Sequence, residues 1–498
     1  MKHLFLYLCF LIENIYTANI LIIASFPSVS HLTSFQKLAK HLTKRSHNVD
    51  LVSSSHLSSK GDMDGYNDIK LDLQAAAIFP KELDYNIVTS ISNDFIKNIK
   101  VLTLLESNIC KLLFKTPEFS NLKNSMKKYD LVIMEFFASE CYLGWAWYFQ
   151  VPSVSIATTI PFPWVFDRFG IPDNPSYVPI YFSHTNSQMS FYERFGNTWK
   201  SVVTKFLYSY FTRNSTKETR EFFGQHMPSL TDLSYNSSLL LIQSHFSIRD
   251  AISYPPNVIE VGGMHIEEPK RLNKTMDKLL QTDLEGIIFL SMGSLVPFET
   301  FPKIMLEAFF DAFAEIPYKV LIRAKPENFP DGLRIPKNVH FESWFPQIDI
   351  LCDNRVKLFI SHAGMMGYQE AVYCGQPILG IPLFAEQISN MKCILSRQFG
   401  MQIYEFTKKE ILEKLQKLLK DPKYTKNAKK VSMEFKDRPM GPMDTAIYWI
   451  EYVIRHNGAP KLQSTVRQLF WYQYCILDII VVCGLVLYIS ATLFYRMI

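Results

Sequence analysis

SHAGMMGYQEAVYCGQP, Ser361 to Pro377, follows the apolar run VKLFI and holds three glycines, a histidine and a carboxylate. A strand ending at His362 leaves Gly364 and Gly367 where the chain must turn sharply and open a helix. Backbone N–H groups at such a helix start carry partial positive charge and bind phosphate. His362 can add a donor, and Glu370, about two turns on, is placed to accept ribose hydroxyls beyond the phosphates.

Outward from this stretch the same rhythm repeats. GIIFLSMGS, KVLIRAK, NVHFESWFPQ and QPILGIPLF read as buried strands, each followed by a turn or helix. In the first half NILIIASF, NVDLVSS, YDLVIMEFF, VPSVSIATT and LLLIQSHF do the same. Phe35, Leu38, Ala39 and Leu42 recur at helical spacing between the first two. Alternating strands and helices make a parallel sheet covered on both faces. YPPNVIEVGGMH, Tyr254 to His265, interrupts the pattern and reads as a linker. The expectation is α/β, with a first doubly wound domain over 19–250 and a second over 251–458, ligands lying at the strands' carboxyl ends.

The N-terminal MKHLFLYLCFLIENIYTA reads as a signal peptide over residues 1–18. Residues 471–495 are apolar and long enough for a membrane-spanning helix, with 496–498 as a tail beyond it. Together they place the domains in a lumen, which suits the sequons at Asn214, Asn236 and Asn273. The net charge of +5 is spread without a basic block, which argues against a nucleic-acid partner. Cys110, Cys141, Cys352, Cys374 and Cys393, an odd set without close pairs, suggest neither a disulfide framework nor a zinc site. Asp62 and Asp64 sit in a polar loop rather than after an apolar strand, so no metal is expected.

Near the opening stretch lie further candidates: Trp344 and Gln347 in SWFPQIDIL, Gly293 and Ser294 in SMGS, and Glu386 with Gln387 in PLFAEQISN. An indole can stack on a flat base and an amide can read its edge. SWFPQIDIL, FISHAGMMGYQEAVYCGQPILGIPLFAEQ, PNVIEVGGMH and DRPMGPMDTAIYWIEYVIRHNGAPKL together resemble the animal membrane-bound UDP-glycosyltransferases, invertebrate type included.

The resemblance covers nearly the whole chain. It implies the GT-B fold, two Rossmann-like domains facing a cleft, with a helix over Met443 to Arg455 crossing back to the first domain. It implies that Trp344 stacks on uracil, Gln347 contacts uracil or ribose, and Glu370 holds the ribose. Ser294, His362 and the amides near Gly364 would take the diphosphate, while Glu386 and Gln387 hold the sugar hydroxyls. His31, after the first strand, matches the family's base; at a helix start it is expected to stay neutral.

The family's usual aspartate partner is here Glu135, with Glu140 in reserve. Met366 and Glu386 depart from the vertebrate pattern, and an apolar residue at the first of these implies UDP-glucose over UDP-glucuronic acid. The implied activity is inverting transfer of a hexosyl group from a UDP-sugar to a small lipophilic hydroxylated acceptor, with no cofactor or metal. An impaired UDP-sugar-binding protein is the alternative. The implied location is the endoplasmic reticulum membrane, and a homo-oligomer stays open. Aromatics in Thr159 to Gly170 and Ser176 to Phe182 suit an apolar acceptor pocket.

Overall fold

A computed structural model describes residues 17–497 apart from Ser25, Pro27, 55–63, 72–82, Asn93, Ala138, His184 and Asn186. The signal-peptide reading and Asp62 lie outside the described residues, Thr17 and Ala18 aside. Two wholly parallel sheets form. The first comprises β1 (Asn19–Ala24), β2 (Asn48–Ser53), β3 (Tyr66–Lys70), β4 (Leu131–Glu135), β5 (Ser153–Ala157), β6 (Leu239–Ile242) and β7 (Val258–Glu260), in the order 3-2-1-4-5-6-7. The second comprises β8 (Ile287–Ser291), β9 (Lys319–Arg323), β10 (Val339–Glu342), β11 (Val356–Ser361), β12 (Ile378–Gly380) and β13 (Gly400–Gln402), in the order 10-9-8-11-12-13. The expected architecture of two doubly wound domains is present.

The central strands are buried at every position of β4, β5, β6 and β8, which is why they read as continuous apolar runs. The three strands that the sequence hid are all edges. β3, YNDIK, is half exposed and polar, and β13 has only three residues. β7 lies inside the stretch read as a linker and pairs with β6, so the first domain extends beyond residue 250.

Helix α1 (Val29–Lys44) buries Leu32, Phe35, Leu38, Ala39 and Leu42 against the first sheet. Helices α2 (Tyr85–Ser92) and α3 (Phe95–Leu113) wall the cleft, and α4 (Phe191–Phe211) packs on α3. Helix α5 (Met365–Cys374) follows β11. Helix α6 (Pro442–Arg455) returns to the first domain, where Ala446, Ile447, Ile450 and Val453 join the core beside α1.

The apolar C-terminal helix α7 spans Leu477–Met497 with mean hydropathy 2.3 and no buried residue. It is shorter than the expected 471–495 span at its start, because Ile476 adopts φ +49° and sets Trp471–Tyr474 apart as a separate turn. By length and composition α7 fits a single-pass membrane anchor.

The cysteine reading is corrected. Cys110 bridges Cys141, and Cys352 bridges Cys374; among the described residues Cys393, Cys475 and Cys483 are free. The partners lie 31 and 22 residues apart, so sequence spacing concealed pairs that the fold brings together. Cys352–Cys374 ties the end of the Gln347–Leu351 helix to the end of α5. Replacing both with alanine is expected to lower stability by about 3 kcal/mol, as loop closure over a segment of this size implies. Urea titration followed by limited proteolysis checks this, with first cleavage expected between the two positions.

Candidate active site

In each sheet the strand order reverses once, between β1 and β4 and between β8 and β11. Loops leaving those neighbours diverge, which opens a crevice at their carboxyl ends. His31 follows β1 and Glu135 ends β4; Gly293 and Ser294 follow β8 and His362 follows β11. The two crevices meet in one cavity of about 520 Å³. It is lined by His31, Gly293, Ser294, Trp344, Gln347, His362, Gly364, Met366, Gly367, Glu370, Glu386 and Gln387, with Glu135 behind His31.

His31 Nδ1 donates to Glu135 Oε1 at 2.5 Å, and the Thr158 hydroxyl donates to the same oxygen at 2.6 Å. Thr158 Oγ1 also lies 2.9 Å from His31 Nδ1. Phe26 and Phe137 hold the imidazole with ring centroids 4.9 and 5.0 Å away. Nδ1 is therefore engaged, and Nε2 is the nitrogen left for the cavity. The helix start expected to favour the neutral form is not the only influence on His31. Burial works against the imidazolium, but the adjacent Glu135 outweighs it and raises His31 above its ordinary value. Thr158, at the end of β5, escaped the sequence reading because only the sheet order brings it beside β4.

Glu140 does not belong to this group. It is buried near Arg168 and Tyr208, and burial raises its pKa.

His362 is clamped between two glycines. A Cβ on Gly364 would fall 2.4 Å from His362 Nε2, and one on Gly293 2.7 Å from its Cε1. Gly293 also has φ +77°, open to glycine at no steric cost. Burial, with Arg323 nearby, pushes the His362 imidazole down to about 4. It is neutral at physiological pH and can donate one N–H, so it cannot neutralise a diphosphate as a cation. Gly364 caps α5 without a side-chain acceptor, so the amides of Met366 and Gly367 open the helix as free donors in the sense of an uncapped terminus.

Around the helix start the other residues are already engaged. Glu386 Oε1 accepts from the Met365 amide at 3.3 Å, and Glu386 Oε2 accepts from the Tyr181 hydroxyl at 3.2 Å. Gln387 Oε1 accepts from the Leu383 and Phe384 amides at 2.8 and 3.2 Å, which leaves its NH₂ for a ligand. Met366 Sδ lies 3.8 Å from the Ser34 hydroxyl of the facing domain.

At the far end Trp344 is 58% exposed, with the Arg323 guanidinium 4.7 Å from its ring centroid. Gln347 Nε2 donates to Glu370 Oε2 at 2.6 Å, over Gly367, whose missing Cβ leaves the amide room. Burial pushes the Glu370 carboxyl up to about 7. His265, 3.7 Å from Glu370, is held neutral by burial and by Lys37, its pKa falling to about 3. Arg323 and His265 line the cavity and were missed; the Arg closing KVLIR and the His closing PNVIEVGGMH carried the signal.

Part of the lining is apolar. Phe26, Val88, Ile91, Leu102, Leu105 and Phe137 belong to it, so α2 and α3 contribute to the wall. The aromatic segments expected there contribute only Thr159 and Tyr181. Trp164 instead stacks on Tyr208 at 3.8 Å inside the core.

With this geometry in place, the family model "UDP-glucoronosyl and UDP-glucosyl transferase" matches residues 18–498. The chain belongs to this UDP-glycosyltransferase family. It is 36% identical to UDP-glucosyltransferase 2 of Dactylopius coccus over 92% of this chain and 88% of that one. It is 29% identical to human UDP-glucuronosyltransferase 2B7, over 94% and 89%. A solved structure titled a glycotransferase of kitacinnamycin superposes with a TM-score of 0.59 at 15% identity, covering 87% of this chain and 98% of that one. The fold of this UDP-glycosyltransferase is accordingly GT-B, and the enzyme transfers sugar from a UDP-sugar donor to an acceptor.

Two tests follow from the site. A base must be neutral to accept a proton, so kcat/KM should fall as pH drops through the raised His31 pKa. In Glu135→Gln the inflection should move to lower pH, and the plateau should drop ~10²- to 10⁴-fold; an unchanged profile would detach Glu135 from the base. Gly364→Ala, by displacing His362, should raise the donor KM about 10- to 100-fold while leaving that inflection in place.

Proposed function

We propose that this UDP-glycosyltransferase moves a glucosyl group from UDP-glucose to a hydroxyl of a small lipophilic acceptor, with inversion at the anomeric carbon. The observation that carries the reading is the His31–Glu135–Thr158 group at one cavity whose lining includes both polar and apolar side chains. His31 Nε2 takes the acceptor's proton, and the acceptor oxygen attacks C1 from the face opposite the diphosphate. The C1–O bond to the diphosphate breaks, and Glu135 stabilises the imidazolium as it forms.

Trp344 carries the uracil, Gln347 and Glu370 the ribose, and Glu386 with Gln387 the sugar hydroxyls. Ser294, His362 and the amides at the start of α5 receive the leaving diphosphate. Those donors supply the stabilisation without a metal in this reading. Glucose is favoured over glucuronic acid because Met366, Glu386 and Gln387 surround the sugar position. Among the described lining residues the one permanent cation, Arg323, sits at the base end against Trp344. A uronate would face Glu386 with no cation beside it.

We assign the domains to the lumenal side of the endoplasmic reticulum membrane. Two disulfides suit an oxidising compartment, and Asn214, Asn236 and Asn273 are all exposed.

Microsomes carrying the full chain test the reading. UDP-glucose should be consumed with phenolic acceptors, EDTA should leave the rate unchanged, and NMR of the product should show a β-glycoside. His31→Ala should lose at least ~10²-fold in kcat. Preference for UDP-glucuronic acid would overturn the sugar, and an α-product would overturn the inversion.

A further inference from the structure

The Gln347–Leu351 helix and α5 lie side by side and are joined twice. Gln347 opens the first helix and donates through Nε2 to Glu370 Oε2 at 2.6 Å. Cys352 follows the last residue of that helix, and its disulfide ends on Cys374, the last residue of α5. Glu370 and Cys374 are one turn apart, so they share a face of α5. The hydrogen bond and the disulfide are therefore two rungs between the same pair of helices. A helix of five residues has little stability of its own, so the direction in which Gln347 points depends on what the helix is tied to.

The two disulfides also differ in access. Cys110 and Cys141 are 0% exposed, whereas Cys352 and Cys374 are half-buried. A dissolved thiol must touch a bridge sulfur to attack it, so it reaches the second pair while the first stays closed. Without the bridge the short helix is held by non-covalent contacts alone. Ile350 and Leu351 sit in the core, Asp349 accepts from the Lys270 amide at 2.7 Å, and the Leu351 carbonyl accepts from Gln376 at 2.8 Å.

We propose that Cys352–Cys374 is a positioning bridge for the donor's ribose, which holds Gln347 against Glu370, and that a thiol reductant opens it selectively and weakens nucleotide binding. The proposal rests on the reading in which Gln347 and Glu370 hold the ribose. Opening takes two electrons from a dithiol. One thiolate attacks a bridge sulfur and the Cys352–Cys374 bond breaks; the second thiolate then displaces the remaining cysteine and closes the reductant into its own disulfide, leaving thiols at Cys352 and Cys374. Gln347 must then be ordered afresh each time a nucleotide binds, and that ordering cost appears as lost affinity. His31 and Glu135 belong to the other domain, so turnover at saturating donor is kept.

The purified full chain in detergent, treated with dithiothreitol at low concentration and then alkylated, provides the test. Mass spectrometry should find new label on Cys352 and Cys374 and none on Cys110 and Cys141. Binding of UDP is then compared by equilibrium dialysis with that of 2′,3′-dideoxy-UDP, which lacks both ribose hydroxyls. Reduction should weaken UDP binding about 3- to 30-fold and leave the dideoxy analogue unchanged, and reoxidation should restore UDP. The variant Cys352→Ala, Cys374→Ala should bind UDP as the reduced enzyme does and ignore the reductant. The reduction and reoxidation of the wild type is decisive alone if that variant fails to fold. Equal weakening of both nucleotides would show a merely structural bridge and overturn the proposal, as would unchanged UDP binding after reduction or labelling of Cys110 and Cys141 as well. Equal affinity of the oxidised enzyme for both nucleotides would instead overturn the ribose reading on which the proposal rests.

Discussion

At a switch point two neighbouring parallel strands send their following loops to opposite faces of the sheet, and no backbone covers the gap between them. This enzyme sets two such gaps against each other. β1 and β4 present His31 and Glu135; β8 and β11 present Gly293, Ser294 and His362. Every strand pair is parallel, so all carboxyl ends of a sheet point the same way and the gaps can share one cavity. Helix α6, returning from the second domain to pack on α1, ties the two halves together behind the site.

The loops that line this cavity hold conformations that need support. Ala363 and Ala385 adopt φ +60° and +56° without being glycine, at a cost of roughly 1–3 kcal/mol each. The Asn390 amide donates to the Ala363 carbonyl at 3.0 Å, and Gln387 accepts from two amides just before Ala385. Each strained residue immediately precedes one that lines the cavity, Gly364 and Glu386. Gln387 thus braces the backbone with its oxygen and has its NH₂ left to face the cavity.

Electrostatics separates three histidines that share the cavity. Glu135 raises His31, whereas burial lowers His362 and His265, with Arg323 and Lys37 adding to the effect. The surroundings of one imidazole thereby favour its charged form, and those of the other two favour the neutral form. Glu370, pushed up to about 7 by burial, sits between protonated and ionised near neutral pH.

Much of this was legible in the chain itself. Buried strands read as apolar runs because both their faces are covered, and the glycine-rich turn after VKLFIS announced the start of α5 at the cavity, where only glycines leave space beside His362. Edge strands β3, β7 and β13 were not legible, since half-exposed or three-residue strands carry no apolar period. Cys110–Cys141, Thr158 beside Glu135, and Arg323 over Trp344 are contacts between segments distant in sequence, and the choice of Glu135 over Glu140 turned on where β4 ends. The sequence by itself determined the fold class and the residue types of the site, because periodicity and turn chemistry are local. Only the tertiary structure decided their partners, charge states and exposed faces, because strand order and burial depend on the whole chain.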